Sequence, residues 1–215
     1  MAEPLLCVKG VWKSFGRGWV LRDVNLVLRQ GEAAAIMGPN GSGKTTLLRI
    51  IACLIRQTRG EVTISGLNNC SQQCRMIIGL VMDHPLLYRD LTVRENLRFY
   101  ASLYGVKNYD PEADPVVEAL GLRRYLDYRV NELSYGWRRR SDIARALLHR
   151  PRLLLIDEPF NGLDPEARQA VEEMLEEHVK NGGAAVMTSP SNGLPLADWV
   201  KAYRIVEGRL LPLKG

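Results

Sequence analysis

A glycine-rich stretch constrains this chain more than any other feature. It reads Gly-Pro-Asn-Gly-Ser-Gly-Lys-Thr-Thr over residues 38–46. The apolar run at residues 33–37 predicts a buried strand before it, and residues 47–52 predict a helix after it. A turn of this composition between a strand and a helix is typical of the phosphate-binding P-loop. Its glycines let backbone N–H groups surround a phosphate, and the helix adds the positive end of its dipole.

The residues of this loop are the predicted contacts to ATP. We expect Lys44 to reach the β- and γ-phosphates as a mobile charge, and the Thr45 hydroxyl to ligate Mg²⁺. The alternative is a glycine turn that matches the pattern by chance, so the remaining sequence has to decide. The predicted ATP-binding residues are Gly38, Pro39, Asn40, Gly41, Ser42, Gly43, Lys44, Thr45 and Thr46.

The composition is that of an ordinary globular protein. Of the 215 residues, 46% are hydrophobic and 25% are charged, which suffices for one sizeable core. The sequence has no apolar stretch near the roughly 20 residues that span a bilayer. The start, Met1-Ala2-Glu3-Pro4, lacks the basic and apolar regions of a secretory signal. We therefore expect a cytoplasmic chain that works at a membrane only by docking onto another chain.

The formal net charge of +5 raises the question of nucleic-acid binding. The basic residues are dispersed, however, and their densest run is Arg138-Arg139-Arg140. A solvated or membrane-side surface explains such a distribution better, so we expect no direct contact with nucleic acid.

The cysteines give no sign of a metal site. Cys7, Cys53, Cys70 and Cys74 form no paired CxxC motifs, and no histidine lies at ligand spacing from them. Reduced thiols without a special role are the expectation in the cytosol, and a redox or metal role is the alternative.

Alternating strands and helices predict an α/β fold with a mainly parallel sheet and ligands at the carboxyl ends of its strands. Apolar strands are predicted at residues 76–82, 153–156 and 184–188. We interpret the first of these as a central strand because it is continuously apolar. Between residues 91 and 148 the pattern is helical instead.

Two of the predicted helices begin at recognisable caps. Thr92 is followed three residues later by Glu95, which together form a capping box. Asp164 precedes Pro165 at the start of a longer helix, a combination typical of a helix N-terminus.

Two acidic residues complete the expected chemistry of the P-loop. A P-loop uses a second carboxylate to hold Mg²⁺, usually an aspartate at the end of a hydrophobic strand. Asp157 follows the apolar residues 153–156, and Glu158 comes next. We expect Asp157 to contact Mg²⁺ and Glu158 to polarise the water that attacks the γ-phosphate. The alternative is a pair of solvent-facing acids at the start of a loop.

Several motifs in one order make the chain resemble the ATP-binding subunit of ABC transporters, from about residue 5 to residue 213. The P-loop corresponds to the family's Walker A motif. Leu133-Ser134-Tyr135-Gly136-Trp137 stands in the place of the LSGGQ signature. The other matches are residues 153–159 as Walker B with Glu158 as the catalytic glutamate, residues 161–164 as the D-loop with Asp164, and Phe15 as the aromatic that stacks on adenine.

The resemblance implies a fold and a set of partners. The fold would be a single ABC ATPase domain over residues 1–215, with an N-terminal antiparallel β subdomain and a helical subdomain at about 84–150. In this family two such domains meet head to tail and enclose two ATP molecules with Mg²⁺. Ser134, Tyr135, Gly136 and Trp137 would then face the ATP bound by the partner domain. The other partner would be a polytopic transmembrane subunit, which places the chain on the inner face of the cell membrane.

The sequence departs from the family pattern at two positions. Asp83 stands where the family has a glutamine, and an aspartate can still contact Mg²⁺ directly or through water. His84 is either a polar substitute one position along or an exposed loop histidine. Pro190 stands where the family has a histidine that contacts the γ-phosphate, and proline offers no donor there. Partial substitution by Ser189, Ser191 or Asn192 is the alternative. We therefore expect intact ATP binding with slow or partner-dependent hydrolysis.

The segment LTVRENLRFYASLYG, residues 91–105, resembles exporters of the ABC-2 type and the haem-exporter ATPase of cytochrome c maturation. The favoured function is thus ATP hydrolysis that powers an exporter. Two alternatives remain at this stage. One is a soluble ABC ATPase that acts in assembly or on nucleic acid, and the other is a binding-only partner in a heterodimer.

Overall fold

The computed structural model describes residues 3–16, 18–190 and 199–213, and these residues form two sheets and six α-helices. The strands are β1 (Leu6–Phe15), β2 (Gly18–Leu28), β3 (Ala33–Met37), β4 (Arg59–Ile64), β5 (Leu67–Asn68), β6 (Ile78–Val81), β7 (Leu153–Ile156), β8 (Ala184–Ser189), β9 (Val200–Val206) and β10 (Arg209–Pro212). The helices are α1 (Lys44–Ile51), α2 (Gln72–Met76), α3 (Val93–Leu103), α4 (Pro115–Ala119), α5 (Tyr135–Leu147) and α6 (Pro165–Lys180).

The smaller sheet is the antiparallel β subdomain that the family resemblance implies. Its strand order is β2-β1-β4-β5, and every neighbouring pair is antiparallel. The end of β2 alternates as a half-buried strand should, since Val24, Leu26 and Leu28 are buried while Asn25 and Val27 are exposed. One face of this sheet therefore covers the core.

The larger sheet carries the predicted parallel strands. Its order is β10-β9-β3-β8-β7-β6, and the pairs from β9 to β6 are all parallel. The hairpin of β9 and β10 adds the antiparallel edge. All residues of β3 are buried, because the strand lies inside the sheet and helices or the smaller sheet cover its faces. The P-loop, Asp83, Asp157 and Pro190 follow the carboxyl ends of β3, β6, β7 and β8, as expected.

The prediction of a central strand at residues 76–82 is wrong. The strand itself is shorter, Ile78–Val81, and β6 lies at the edge of the sheet, paired only with β7 among the described strands. Helix α5 covers it, and Gly79 permits the contact because a Cβ there would lie 2.5 Å from the Ala146 carbonyl oxygen. A continuous apolar run indicates that both faces of a strand are buried. It does not distinguish an edge strand that a helix covers from a central strand.

The helices between β6 and β7 share a core with the large sheet. Leu97 of α3, Val117 of α4 and Ile143 of α5 belong to the same buried cluster as Val81 and Leu154 of the sheet. The helical region thus packs directly on the α/β core, while its proposed limits at residues 84 and 150 stay a prediction. No helix in the described ranges combines the length and the apolar character needed to cross a membrane.

The capping predictions are confirmed. The Thr92 side chain accepts from the Glu95 N–H and the Glu95 carboxylate accepts from the Thr92 N–H, so the capping box is complete. Asp164 caps α6, where its carboxylate accepts from the Ala167 N–H, and Pro165 is the first helical residue.

The expectation of reduced cysteines is wrong for one pair. Cys53 and Cys70 form a disulfide, with their Cα atoms 5.2 Å apart. Cys7 and Cys74 are free. The tertiary fold brings two distant positions of the chain together, which the sequence spacing alone does not show.

Candidate nucleotide-binding site

The predicted P-loop connects β3 to α1 at the carboxyl edge of the sheet. The Ser42 N–H donates to the Pro39 carbonyl at 3.1 Å, which closes the turn. Gly43 is the N-cap of α1 and has φ 109°, in the left-handed region that favours glycine. A Cβ at Gly43 would lie 2.9 Å from Leu21 of β2. The loop therefore needs glycine here both for its backbone conformation and for its packing against the β subdomain.

Lys44 folds back into the loop. Its side-chain Nζ donates to the Gly38 carbonyl at 2.7 Å and to the Pro39 carbonyl at 3.1 Å, and the residue is 5% exposed. The ammonium group is thus held inside the turn that the glycines form. A phosphate entering the loop offers stronger, charge-assisted partners to the same donors.

One cavity of about 640 Å³ joins the P-loop to the predicted acidic residues. One wall consists of the P-loop and the first turns of α1, and the other consists of the ends of β6 and β7. Its lining is Asn40, Gly41, Gly43, Lys44, Thr45, Thr46, Arg49, Leu54, Met82, Asp83, His84, Leu86, Asp157 and Glu158. The fold therefore brings the Walker A residues, Asp83 and the two Walker B acids around a single space.

Asp157 has one carboxylate oxygen in use and one without a partner. The buried Thr188 hydroxyl donates to Oδ1, whereas Oδ2 is buried and has no hydrogen-bond partner. An unpartnered buried carboxylate oxygen is costly unless a ligand or ion satisfies it. Asp157 and Thr45 both line this cavity. A carboxylate and a hydroxyl are ligands that magnesium accepts together with phosphate oxygens, so the residue types present fit a magnesium ion.

Glu158 turns sharply away from the end of β7. Its φ is 52°, an uncommon conformation for a residue other than glycine. The Glu158 N–H donates to the Thr188 hydroxyl at 3.1 Å, which holds the turn in place. Glu158 is half-buried and lines the cavity that contains Lys44. Thr188 thus hydrogen-bonds to both acidic residues, and its sequence pattern indicates only a strand residue.

Asp83 also lines the cavity and is more exposed than Asp157. Its side chain is 56% exposed, and Oδ2 lies 3.9 Å from Nε2 of the exposed His84. The Asp83 backbone carbonyl accepts a hydrogen bond of 3.3 Å from the Tyr135 hydroxyl. The Asp83 segment is thereby attached to the helix that carries the signature motif, and its carboxylate is free to face a ligand.

Arg139 holds the ends of two neighbouring strands together. Its buried guanidinium donates to the backbone carbonyls of Met82, Asp157 and Glu158, the last at 2.8 Å. Burial lowers the pKa of this guanidinium. Arg139 is 0% exposed, so this residue of the basic run lies inside the chain and not on a solvated surface. Its bonds to the Walker B backbone join segments that are distant in the sequence.

The signature residues begin α5 and do not line this cavity. Ser134 is the N-cap and its exposed side chain accepts from the Trp137 N–H at 3.5 Å. A Cβ at Gly136 would lie 2.9 Å from the Gly162 carbonyl oxygen, so the helix and the D-loop are in close contact. The Tyr135 ring covers Gly162, where a Cβ would lie 2.3 Å from the ring. The Tyr135 side chain therefore packs against the D-loop of its own chain.

Trp137 packs sideways onto the helical region. Its ring lies 4.0 Å from that of Tyr125, measured between centroids, and the Arg140 guanidinium lies 4.1 Å from the Trp137 ring centroid. Arg140 in turn pairs with the Asp164 carboxylate. The Ala167 N–H and Arg140 lower the pKa of that carboxyl group. The structure thus links the signature helix to the D-loop and does not place Trp137 beside Lys44.

The predicted adenine contact, Phe15, lies at the end of β1 with 53% of its surface exposed. The Lys13 ammonium lies 4.6 Å from its ring centroid. A second cavity of about 1060 Å³ lies across the P-loop and is lined by Trp19 and Val20 together with residues 39–42 and 204–208. Phe15 lines neither of these cavities. Trp19, an aromatic residue of β2, lines the second cavity next to the P-loop, and no sequence motif marks it.

Pro190 follows β8 and is exposed. The neighbouring Ser189 is buried, and its hydroxyl donates to the Pro190 carbonyl at 3.3 Å. The Ser189 hydroxyl is therefore already hydrogen-bonded to its neighbouring residue. Ser191 and Asn192 lie outside the described residues.

The comparisons with known proteins identify the family. A family profile described as "ABC transporter" matches residues 21–161. The chain is 31% identical to the lantibiotic transport ATP-binding protein SrtF of Streptococcus pyogenes, over 96% of this chain and 89% of that protein. This chain belongs to the ABC transporter family.

Other matches agree with its placement among the ABC ATP-binding subunits. The chain is 40% identical to the uncharacterized ABC transporter ATP-binding protein YdbJ of Bacillus subtilis, over 87% of this chain and 61% of that protein. It spans only 61 to 62% of the length of three such relatives. A solved ATP-binding cassette, a dimer in a post-hydrolysis state bound to ADP and Pi, matches with TM-score 0.81 and 27% identity, over 98% of this chain and 99% of that one.

These matches also confirm the fold prediction. ABC ATPases share the P-loop α/β core and the antiparallel β subdomain found here. The ABC family binds and hydrolyses ATP as a general property.

Proposed function

We propose that this chain binds ATP with Mg²⁺ and hydrolyses it to power an ABC exporter. The observation that carries the proposal is the shared cavity of Lys44, Thr45, Asp157 and Glu158, in which the buried Oδ2 of Asp157 has no partner. A cationic donor, a hydroxyl and two carboxylates are the groups that phosphoryl transfer to water requires. A purely structural role would not require these four groups to line the same cavity.

In this proposal Lys44, Thr45 and Asp157 bind ATP and Mg²⁺, and Glu158 accepts the proton of the attacking water. On ATP binding, the Lys44 ammonium exchanges the Gly38 and Pro39 carbonyls for phosphate oxygens. Thr45 and Asp157 would hold Mg²⁺, which would supply positive charge against that of the phosphates. The Glu158 carboxylate orients the attacking water and accepts its proton. Thr188 and Arg139 keep the two acids at fixed positions relative to the P-loop.

A second ABC domain would complete the site. The N-terminus of α5, with Ser134 as its cap, is a good anion-binding position because its N–H groups and dipole favour negative charge. It does not line the cavity of this chain's own P-loop. A head-to-tail dimer would bring Ser134 and Gly136 to the γ-phosphate of the partner's ATP. The dimeric state of the solved cassette with ADP and Pi supports dimerisation of this chain.

An exposed aromatic surface supports a membrane partner. Tyr88 and Phe99 are 52% and 39% exposed, and their ring centroids lie 5.1 Å apart. Leu86 and Leu103 are exposed as well. Exposed apolar groups of this kind mark interaction sites. We infer that a polytopic transmembrane subunit binds here, with this chain on the inner face of the membrane.

The class of transporter is the finer part of the proposal. The relatives named for lantibiotic transport and for Nod factor export support an exporter. Haem export in cytochrome c maturation is the narrower version of the same proposal. Co-purification of the chain with a polytopic membrane protein, followed by identification of that protein, separates these versions and also separates all of them from a soluble assembly ATPase.

The direct test is ATP hydrolysis by the purified chain and by its Glu158→Gln variant. We expect Glu158→Gln to lower kcat by about 10²–10⁴-fold, because a general base contributes about that much. ATP binding should persist, and the variant should form an ATP-dependent dimer in light scattering. Glu177→Gln, an exposed change of the same kind on α6, serves as the control. Equal turnover in both variants would overturn the assignment of Glu158.

Pro190 favours one second candidate, a binding-only partner in a heterodimer. If the wild-type chain binds ATP tightly but shows no hydrolysis above Glu158→Gln, the chain serves as the non-hydrolysing half. Counting hydrolysed nucleotides per dimer with the co-purified partner then decides the matter.

A further inference from the structure

The disulfide joins two segments next to the P-loop helix. Cys53 directly follows Ala52, the C-cap of α1, and Cys70 directly precedes Ser71, the N-cap of α2. The two cysteines are 17 residues apart in the sequence and their Cα atoms are 5.2 Å apart. The bond thus connects the end of α1 to the turn that leaves the β subdomain.

We propose that Cys53 and Cys70 form a reversible thiol–disulfide site. It exchanges with low-molecular-weight disulfides, and in its oxidised form it fastens the end of α1 to the turn before α2. The site takes no part in ATP hydrolysis, but its exchange with a reducing pool rests on the proposed position of the chain on the inner face of the membrane. Disulfides in reducing compartments are mostly transient and redox-sensing, which suits an exchangeable bond better than a permanent one.

The two thiols stay opposite each other without the bond. Asn69, next to Cys70, is 1% exposed. Its side-chain amide donates to the Ile50 carbonyl at 2.7 Å and to the Ile51 carbonyl at 3.2 Å. These hydrogen bonds satisfy carbonyls at the C-terminus of α1 and hold the turn against the helix. Reduction therefore leaves the thiols within bonding distance, as a reversible site requires.

The pair is accessible to a small reagent, and the buried cysteine is not. Cys53 and Cys70 are both half-buried. Cys70 also lines a cavity of about 330 Å³ together with Arg56, Gln57, Asn68 and Asn69. The Arg56 cation in this cavity favours a thiolate and attracts anionic disulfides such as oxidised glutathione. Cys74 is 0% exposed, so the same reagent does not reach it.

The cysteine pair is oxidised by a reagent disulfide in two steps. The Cys70 thiolate attacks one sulfur of the reagent disulfide, forms a mixed disulfide and releases one thiolate. The Cys53 thiolate then attacks the Cys70 sulfur, forms the intramolecular bond and releases the second thiolate. Both released thiolates take up the protons that the cysteines lost, so two protein thiols are oxidised and one reagent disulfide is reduced.

The position of the bond gives it an effect on the wall of the ATP cavity. Leu54 follows Cys53 and lines the cavity that contains Lys44. The N–H groups of Leu54 and Ile55 donate to the Arg49 carbonyl at 2.8 Å and 3.3 Å. The bond to Cys70 restrains Cys53 and, together with these hydrogen bonds, the short segment that follows it. We expect oxidation to slow amide hydrogen exchange at residues 52–57 and 68–72.

The test titrates the full chain in buffers of reduced and oxidised glutathione, followed by mass spectrometry of the alkylated protein. We expect loss of two hydrogens and a peptide cross-linked between Cys53 and Cys70, reversed by a dithiol reductant. The oxidised chain should melt roughly 5–10 °C higher than the reduced chain, because a loop of this length is closed. Hydrogen exchange of both forms locates the effect.

Two variants make the result decisive. Cys53→Ser should stop the reaction at a stable glutathione adduct on Cys70, and Cys7→Ser should oxidise as the wild type does. Thiols that stay free at an oxidising glutathione ratio would overturn the proposal. So would a bond that no dithiol reverses in the folded chain, or a cross-link that maps to Cys7 or Cys74.

Discussion

The Thr188 hydroxyl donates a hydrogen bond to Asp157 Oδ1 and accepts one from the Glu158 N–H. Thr188 lies near the end of β8, and the two acids follow β7, its neighbour in the sheet. A single buried hydroxyl thus sets the orientation of both acids. It leaves Asp157 Oδ2 as the oxygen available to a metal ion.

Replacing Thr188 by valine tests this relationship. Thr188→Val keeps the shape but leaves Asp157 Oδ1 and the Glu158 N–H unpaired, so we expect the free energy of unfolding to fall by about 1–3 kcal/mol. We also expect a kcat loss of about tenfold or more, larger than any change in ATP affinity, because misplaced groups slow the chemical step. Thr188→Ser retains the hydroxyl and should stay close to wild type. A variant Thr188→Val with unchanged kcat would remove the positioning role.

Pro190 allows a gain-of-function prediction. Pro190→His supplies the donor that the family has at this position, and we expect ATP turnover to rise by about 10²–10³-fold, the usual value of one transition-state hydrogen bond. Steady-state phosphate release measures it. Pro190→Ala restores the backbone N–H without an imidazole and is the matched control. If histidine and alanine give the same rate, the altered residue does not limit hydrolysis.

Arg139 should not tolerate lysine. Its planar guanidinium reaches the carbonyls of Met82, Asp157 and Glu158 at once, and an ammonium group cannot reproduce that geometry. We expect Arg139→Lys to lower the free energy of unfolding by about 1–3 kcal/mol for a carbonyl left unpaired, together with slower hydrolysis. Arg138→Lys changes a neighbour that makes none of these three carbonyl bonds and should have little effect. Chemical denaturation of both variants makes the comparison, and equal losses would contradict the prediction.

His149 predicts how stability depends on pH. Burial lowers its pKa to about 4, its ring stacks on Tyr104 with 3.7 Å between centroids, and its Nδ1 is buried without a partner. Between pH 6.5 and about 4 the unfolded chain binds a proton here that the folded chain does not. The free energy of unfolding should therefore fall as the pH decreases through this window, by at most about 1.4 kcal/mol per pH unit for one proton.

The matched variants isolate that slope. His149→Phe keeps the aromatic stack on Tyr104 and should flatten the dependence, while the exposed His84→Gln should keep it. His178, whose pKa burial also lowers, titrates equally in every variant and leaves a residual slope. Denaturant titrations at several pH values above 5 measure the difference. An identical slope in His149→Phe would show that His149 is not the titrating group.

The sequence alone determined the local structure and the chemistry of the P-loop. The capping box of Thr92 and Glu95 and the cap at Asp164 were predictable because their contacts lie within one helical turn. The P-loop followed from spacing for the same reason. The motif order also predicted the family and the fold.

Only the tertiary structure decided contacts between distant segments. The edge position of β6, the Thr188–Asp157 bond, the reach of Arg139 and the Cys53–Cys70 disulfide each depend on which elements pack side by side. Hydrophobic periodicity reports whether a residue is buried, but not against what. Long-range pairing is set by the total packing of the core, which no local pattern in the sequence contains.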